Sequence, residues 1–185
     1  MKINLTSTPV QELWQEGLAL GLFSDERPPR GYTGMVDWRL NGMISRSMAS
    51  GRITGKEGET VLLAPDRRAF PSPKVLIVGL GTAGDLAPNN LYQAGAAIVN
   101  SFTAAGCNEF AASVPGAARE ELSTADLAES LLSGMLDALG ASGRLSEQWP
   151  SIYIVESYHL LRDVERGVRS AIDGLQRRDD TFSAT

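Results

Sequence analysis

The sequence contains few of the side chains on which metal binding and nucleophilic catalysis depend: one cysteine, Cys107, and one histidine, His159, among 185 residues. A single cysteine excludes an intramolecular disulfide, and neither residue can form a zinc site alone, because such sites take several protein ligands. The carboxylate pairs at 120–121 and 179–180 lie in segments predicted as a loop and a tail, whereas acid–base catalysis needs carboxyl groups in different environments within a cleft. The sequence therefore predicts no catalytic residues, no metal and no cofactor.

Long apolar runs and clusters of positive charge are also missing. The net charge is −5 and the acidic and basic residues are interspersed, so the chain has no basic stripe of the kind that neutralises a phosphate backbone. No run approaches the roughly 18 apolar residues of a membrane span, and the opening segment MKINLTSTPV lacks the apolar core of a secretory signal. We therefore predict a cytoplasmic protein that binds neither nucleic acid nor membrane.

What the sequence does contain is the composition of an ordinary globular protein. Hydrophobic residues make up 43% and charged residues 21%, while 19 glycines and only 6% aromatic residues favour an α/β chain with many turns. A chain of this length buries enough surface to fold without a disulfide or a metal. We predict a single domain over residues 1–176, followed by a polar tail at 177–185 that frays.

Strand and helix patterns alternate along the chain. Strands are predicted at residues 2–6, 109–114 and 152–156, and two more, in ETVLLAPD and KVLIVGLG, flank a proline-containing turn. These two are predicted to be antiparallel, because parallel neighbours need a crossover of about a dozen residues. Helices are predicted at residues 33–48, 88–105, 123–139 and 159–175. The pattern indicates an α/β fold in which a mixed β-sheet is sandwiched between helices, with three layers α/β/α.

The first of these helices depends on apolar spacing alone. The residues at helical spacing are Met35, Val36, Leu40, Met43, Ile44 and Met48, while Asp37 and Arg39 fall on the other side. The prediction therefore places Met35 in the core and Asp37 on the polar face.

The segment KVLIVGLGTAGDL, residues 74–86, contains the dinucleotide-binding pattern G-x-G-x-x-G. In a working site the glycines lead directly into a helix whose N-terminus meets the pyrophosphate, and an acidic residue about 20 positions later holds the ribose. Here Pro88 moves the helix start about four residues beyond Gly84, and the next predicted strand ends at Val114 and Pro115, where that carboxylate is needed. The glycines are therefore predicted to form a glycine-rich strand exit and not a dinucleotide site.

Two neighbouring segments, LNGMISRSMASGRITGKEGETVLLAPD and KVLIVGLGTAGDL, together resemble the N-terminal domain of the leucyl (cytosol) aminopeptidase family. Members of that family have a helix leading into a G-x-x-x-G-K-x-G-E/Q-T loop, a strand, a short turn and a V-L-L-V-G-L-G strand. In this sequence the motif positions are Gly51, Gly55, Lys56, Gly58, Glu59, Thr60 and residues 75–81. The resemblance implies a macro-domain-like fold and a domain that helps subunits to assemble into a hexamer.

The peptidase chemistry of that family resides in a separate C-terminal domain, which supplies the ligands of two metal ions and an N-T-D-A-E-G-R segment. The sequence contains neither that segment nor an equivalent, and a two-metal hydrolase without its ligands cannot make hydroxide at neutral pH. The resemblance thus implies a stand-alone, non-catalytic N-terminal domain that lacks the catalytic domain. No peptidase residue can be carried over to this chain.

Two functions stay open for such a domain. The first is protein–protein contact, either as a homo-oligomer or with a separate subunit. The alternative is a small-molecule or nucleotide-binding module at the carboxyl ends of the strands, with ADP-ribose as the type of ligand that the resemblance to macro domains implies. Backbone amides of a glycine-rich loop can form an anion-binding nest, so the candidate residues in the 79–89 loop are Gly79, Gly81, Thr82, Gly84 and Asn89. An enzyme of another kind would need His159, Ser157 and a carboxylate in one cleft.

Overall fold

The computed structural model describes residues 2–119, 121–143 and 149–183 of the chain. The strands are β1 (Lys2–Thr6), β2 (Gly17–Leu22), β3 (Thr60–Leu63), β4 (Lys74–Gly79), β5 (Glu109–Ser113) and β6 (Ser151–Val155). The helices are α1 (Gly31–Arg39), α2 (Met43–Ala49), α3 (Pro88–Ala104), α4 (Thr124–Ala141) and α5 (Leu161–Ser183). Short 3₁₀ turns occur at Val10–Glu12, Ala83–Asp85 and Tyr158–Leu160.

The six strands form one mixed sheet in the order β1-β6-β5-β2-β4-β3. All neighbouring strands from β1 to β4 in this order are parallel, and β3 pairs antiparallel with β4, with Thr60 opposite Val78. Both the mixed sheet and the antiparallel pair are confirmed predictions. Because β1, β6, β5, β2 and β4 run in the same direction, their carboxyl ends lie along a single edge of the sheet.

Helices cover both faces of the sheet, which confirms the three-layer α/β/α architecture. Successive side chains of a strand point to opposite faces. In β4, Leu76 and Val78 enter the core beneath α3, α4 and α5, whereas Val75 and Ile77 enter the core beneath α1, α2 and the Val10–Glu12 turn. A strand buried on both faces has a continuous apolar sequence, which is why KVLIV was recognisable as a strand.

Helices α3 and α4 pack against each other through glycines. Gly134 of α4 lies against the carbonyl oxygen of Tyr92 in α3, and Gly95 of α3 lies against the carbonyl oxygen of Leu131 in α4. A methyl group at either position would overlap that oxygen. The close approach of the two helices therefore requires residues without a side chain.

The helix predicted over residues 33–48 is in fact two helices, so this prediction was wrong. α1 ends at Arg39, Asn41 and Gly42 have positive φ angles of 53° and 76°, and α2 begins at Met43. Left-handed residues end the α-helical hydrogen-bond ladder. The apolar residues on either side keep helical spacing across the break, so periodicity alone could not reveal it.

Asp37 stabilises this break, and its position is a second correction. The prediction placed it on the polar face, but it is only 7% exposed. Its Oδ1 accepts hydrogen bonds from the backbone N–H groups of Ile44 at 2.7 Å and Ser45 at 3.1 Å, so the carboxylate caps the start of α2. Met35, which was predicted to face the core, is instead 56% exposed and lines a cleft beside α1.

Helices α3 and α4 begin where the sequence placed them. α3 starts at Pro88, four residues after Gly84, so the glycines lie in a loop and not in the first turn of a helix, as predicted. The hydroxyl of Ser123 accepts a hydrogen bond from the Asp126 N–H at 3.3 Å. That contact makes Ser123 the N-cap of α4.

The last helix differs from its prediction, which covered residues 159–175. α5 starts at Leu161, after a 3₁₀ turn, and continues to Ser183. The sequence missed this extension because the added turns are polar and lack an apolar period. The predicted tail at 177–185 thus begins within α5, residues 184–185 lie outside the described residues, and the fraying stays a prediction. Of the helices in the described part of the chain, none is both long and apolar enough to cross a membrane.

Candidate functional site

A cleft of about 570 Å³ opens at the carboxyl ends of β2, β5 and β6, beside the start of α1. Its volume falls in the range of small-molecule pockets, and its position is where open α/β sheets usually bind ligands. The walls are largely apolar and include Leu22, Phe23, Val114 and Leu160. The crevice that the sequence placed at this edge of the sheet is therefore present.

The cleft contains a buried carboxyl group, that of Glu156, the first residue after β6. Glu156 is 5% exposed, and its two carboxyl oxygens accept hydrogen bonds from the backbone N–H groups of Val114 at 3.4 Å and Ser157 at 3.1 Å. Desolvation raises the pKa of Glu156 to about 7, although those two N–H groups and the Tyr32 hydroxyl favour the charged form. The carboxyl group therefore changes protonation near neutral pH.

Tyr32, in the first turn of α1, hydrogen-bonds with this carboxyl group. Desolvation, followed by the charge of Glu156 and the hydrogen bond to it, raises the pKa of Tyr32 to about 12. The phenol therefore keeps its proton at physiological pH and donates a hydrogen bond to the carboxylate. The next residue, Thr33, donates its hydroxyl to the Gly21 carbonyl at 2.6 Å, which fixes the start of α1 against β2.

Ser157 and His159 also line the cleft, with the serine Oγ 3.4 Å from the histidine Nε2. Together with Glu156 they bring into one cleft the residue types that an enzyme of another kind would need. Within the described residues, however, Glu156 contacts backbone N–H groups and Tyr32, and no contact joins it to the imidazole. In nucleophilic catalysis a third group usually orients the base, and the contacts described for Glu156 do not give it that role towards His159.

Arg119, on the loop after β5, braces another part of the wall. Its guanidinium lies 3.1 Å from Oε1 of Glu26 and 5.1 Å from the centre of the Phe23 ring, and it donates to the Ala83 carbonyl at 3.0 Å. The side chains of Arg119 and Glu26 are 31% and 19% exposed, so the pair is largely shielded from solvent. Arg30 also lines the cleft and is exposed.

The residues predicted to bind a ligand, Gly79, Gly81, Thr82, Gly84 and Asn89, do not line this cleft. Gly79 is the last residue of β4, the strand beyond β2 in the sheet, and the other four follow it. Thr82, Gly84 and Asn89 are exposed. Their loop contacts the cleft wall through Arg119, which donates a hydrogen bond to the Ala83 carbonyl.

Key backbone amides of the 79–89 loop are already bonded within the chain. The Gly81 N–H donates to the Gly55 carbonyl at 2.9 Å, and the Ala83 N–H donates to Oδ1 of Asp25 at 2.9 Å. An anion-binding nest needs free amides that converge on the ligand. Here a carboxylate of the chain itself holds the Ala83 amide.

The glycines of this loop contribute to packing. Gly79 lies against the loop that follows α2, where a Cβ atom would overlap the Lys56 carbonyl oxygen, and Gly81 has a φ angle of 75°. The Gly58 N–H donates to the Gly79 carbonyl at 3.2 Å, and the Gly79 N–H donates to the Glu59 carbonyl at 2.8 Å. The two segments on which the family resemblance rests thus form one packed unit.

The cysteine and the potential metal ligands add little to the site. Cys107 is 2% exposed, and burial, partly opposed by Lys74, raises the pKa of its thiol, which makes it a poor nucleophile. Within the described ranges, no group of three His, Cys, Asp or Glu side chains is placed to hold a metal ion. The polar groups of the cleft in the described residues are therefore suited to hydrogen bonding with a ligand and not to holding a metal ion. They are chiefly those of Glu156, Tyr32 and Ser157.

Sequence reasoning missed Glu156 and Tyr32. Glu156 does have a signal, because in IYIVES an apolar strand runs directly into a carboxylate, and strand ends carry ligand-binding residues in α/β folds. Tyr32 has no such signal, since it follows the turn-forming segment DERPPRG and only the fold brings it to the end of β6.

Comparison with known proteins identifies the family. Residues 16–139 match the family model described as the cytosol aminopeptidase family, N-terminal domain. A probable cytosol aminopeptidase of Thermosynechococcus vestitus is 28% identical over 149 residues, which cover 78% of this chain and 29% of the relative. The chain spans only 19% to 29% of the length of the curated relatives that it matches.

Solved structures share the architecture. A mutant tomato leucine aminopeptidase superposes with a TM-score of 0.65 at 19% identity, over 90% of this chain and 35% of the other. A Trypanosoma brucei macrodomain in complex with ADP-ribose gives a TM-score of 0.71 at 14% identity, over 90% of this chain and 68% of the other. At these identities the similarity shows the fold, which is macro-domain-like as predicted. Because the family model covers most of the chain, this protein belongs to the cytosol aminopeptidase family, and the part of the family that it matches is the N-terminal domain.

Proposed function

We propose that this chain is a non-catalytic binding module that holds a small molecule of nucleotide size at the carboxyl ends of β2, β5 and β6. The observation that carries the proposal is the cleft of about 570 Å³, with its apolar walls, the buried carboxyl group of Glu156 and the half-buried Tyr32 beside it. Apolar walls with a few fixed polar groups are the usual composition of a ligand site. Further support comes from the Trypanosoma brucei macrodomain, a fold neighbour that has been solved in complex with ADP and with ADP-ribose.

The contacts inside the cleft support a non-catalytic role. The Glu156 carboxyl group is engaged by backbone N–H groups and not by His159, so the described residues supply binding contacts but no oriented base. A ligand bound in the cleft is therefore expected to be recovered chemically unchanged. Leucine p-nitroanilide with added manganese or zinc is expected to be hydrolysed by the same sample only at the background rate.

The 79–89 loop is the alternative position for the ligand, and two exposed small residues distinguish it from the cleft. Ala118 lines the cleft, and Thr82 lies in the loop. Ala118→Trp is expected to weaken the binding of ADP-ribose about tenfold or more, because the indole occupies the ligand's space, and tenfold corresponds to ~1.4 kcal/mol. Thr82→Trp is expected to leave the affinity within about twofold of wild type. Isothermal titration calorimetry measures both changes.

The two tryptophan variants control for each other. Both replace an exposed small residue, so the free energy of unfolding of each variant should lie within about 0.5 kcal/mol of the wild-type value. A difference in binding between the two then reports the position of the ligand. Loss of binding in Thr82→Trp with retention in Ala118→Trp would place the ligand at the loop. Failure of ADP-ribose, ADP and adenosine to bind the wild type at millimolar concentration would contradict the proposed function.

A second function, protein–protein contact, is favoured by two exposed tryptophans. Trp14 and Trp38 are each 81% exposed. Trp38 lies in α1, and Trp14 follows the Val10–Glu12 turn, which α1 contacts. Tryptophan is enriched at the energetic centres of protein interfaces. The proposal is that this face contacts a second copy of the chain or a separate subunit.

Sedimentation equilibrium tests this second function. The wild type is expected to self-associate at high concentration, and a double variant, Trp14→Ser with Trp38→Ser, is expected to sediment as a monomer. A wild type that stays monomeric, and that captures no partner in a pull-down, would count against the contact. A cytoplasmic location for such contacts stays a prediction, supported by the name of the cytosol aminopeptidase relatives.

A further inference from the structure

We infer that Glu156 and Tyr32 bind the hydrogen-bond-donating end of the ligand, meaning the hydroxyl and amino groups of a nucleoside, and that any phosphate groups lie away from this pair. The inference rests on the proposed function and adds the chemical class of group that the buried end of the cleft selects. It depends on where the carboxyl group is held, on how much acceptor capacity it retains and on where the positive charges lie.

The carboxyl group of Glu156 is held in place without a ligand. The backbone N–H groups of Val114 and Ser157 each hold one of its oxygens, at 3.4 Å and 3.1 Å, and the Tyr32 hydroxyl adds a hydrogen bond from α1. The backbone N–H of Glu156 itself donates to the Thr6 carbonyl at 3.1 Å, which ties it to β1. An acceptor that is fixed in advance loses little conformational entropy when a ligand binds.

The pair retains acceptor capacity that these contacts do not use. An ionised carboxylate has about four lone-pair sites, and the described donors Val114, Ser157 and Tyr32 leave about one of them for a ligand. The Tyr32 oxygen, having donated its hydrogen to Glu156, can also accept a hydrogen bond. A hydroxyl or amino group of the ligand would satisfy this capacity, whereas a buried acceptor left without a donor weakens binding.

Positive charge lies elsewhere in the cleft. Arg119 is paired with Glu26 at 3.1 Å, Arg30 is exposed, and the described contacts of Glu156 include no lysine or arginine. A phosphate beside Glu156 would face a like charge without a countercharge in a poorly solvated environment. Arg30 at the start of α1 is the better position for a phosphate, because guanidinium groups and helix N-termini both favour anions.

This assignment gives ligand binding a defined pH dependence. In the free protein the pKa of Glu156 is about 7, and a ligand that donates to the carboxylate stabilises the ionised form, so binding lowers that pKa and releases a proton. Affinity is then close to its maximum at pH 8, about half of that maximum at pH 7, and about tenfold lower at pH 6 than at pH 8. A phosphate beside the carboxyl group would favour its protonated form, and the affinity would rise as the pH falls.

Other charged or titratable groups face the cleft, and any proton that they release must be distinguished from one released by Glu156. They are Glu26 and Arg30 before α1, Tyr32 within α1, Arg119 after β5 and His159 after β6. Of these residue types, histidine is the one whose charge ordinarily changes near neutral pH. A His159→Gln variant therefore identifies the source of any released proton, whatever its effect on the affinity.

The experiment is calorimetric titration of the full chain with adenosine, ADP and pyrophosphate at pH 6, 7 and 8, in two buffers of different ionisation enthalpy. Adenosine and ADP are expected to release protons on binding to the wild type, and their affinities are expected to fall about tenfold towards pH 6. Pyrophosphate itself changes protonation in this pH range, so its proton exchange is expected to be the same in the wild type and in Glu156→Gln. Glu156→Gln should abolish the proton release, and Tyr32→Phe, which removes only a hydroxyl, should weaken adenosine about threefold to tenfold.

Each outcome decides the inference. Proton release in the wild type and in His159→Gln, together with its loss in Glu156→Gln, supports the inference. Proton uptake, no proton exchange, or an unchanged pH dependence in Glu156→Gln overturns it and leaves the proposed function standing. If none of the probes binds the wild type, the proposed function fails and the inference fails with it. The wild-type measurement and Tyr32→Phe decide the matter even if Glu156→Gln does not fold.

Discussion

Gly79→Ala is expected to lower the free energy of unfolding by about 3 kcal/mol or more. A Cβ atom at this position would overlap the carbonyl oxygen of Lys56. Neither backbone can easily retreat, because the Gly79 N–H and carbonyl are bonded to Glu59 and Gly58 of the same loop. The methyl group must therefore force β4 and that loop apart. Urea denaturation followed by far-UV circular dichroism measures the loss.

The matched control is Gly84→Ala, in the last glycine of the same sequence motif. A Cβ atom at Gly84 meets nothing within 4 Å, and its backbone is not left-handed. The change is expected to leave stability within about 1 kcal/mol of wild type, with a small gain from the restricted unfolded chain. If Gly79→Ala proved as stable as Gly84→Ala, the packing explanation of the glycine motif would be wrong.

Gly134→Ala is expected to have an effect of similar size, about 3 kcal/mol. The new methyl group would overlap the carbonyl oxygen of Tyr92, so α3 and α4 would have to separate along their shared interface. Much of the core on that face of the sheet lies between these helices and the strands, and a shift of either helix disturbs it. The midpoint of urea denaturation, with an unchanged slope, reports this loss.

Gly140→Ala, in the same helix, is expected to change stability in the opposite direction. Gly140 is exposed, and a Cβ atom there meets nothing within 4 Å. Alanine is the better helix former, so a gain of about 0.5 kcal/mol is expected near the end of α4. Equal effects of the two substitutions would show that helix propensity, and not the contact with Tyr92, governs both.

Most of the fold could be predicted from the sequence because its strands and long helices have local signals. VLIV, residues 75–78, is apolar throughout because β4 is buried on both faces, and Pro88 and Ser123 mark the starts of α3 and α4. The break between α1 and α2 has a local signal too, since Asn41 and Gly42 form a turn-favouring pair, but the apolar spacing that continues across it concealed the break. It depends on the left-handed Asn41 and on a buried contact between Asp37 and the start of α2, which apolar spacing does not encode.

The candidate site was less predictable, for a physical reason. Glycine motifs look alike whether the missing side chain makes room for a ligand or for another stretch of backbone, and at Gly79 the neighbour is Lys56. The cleft is formed by residues far apart in sequence, with Tyr32 from α1, Val114 after β5 and Glu156 after β6. The topology predicts which edge of the sheet carries the site. Only the folded chain shows that Tyr32, Val114 and Glu156 meet there.

The central claim is that the cleft, and not the 79–89 loop, binds a small molecule. Nitrogen–proton correlation spectra of the labelled chain, titrated with ADP-ribose, test it most directly because each backbone amide reports separately. The account predicts chemical-shift changes at the amides of Gly31, Val114 and Ser157, with those of Gly81 and Gly84 unchanged. Changes confined to residues 79–89, or a spectrum that stays unchanged at millimolar ligand, would contradict it.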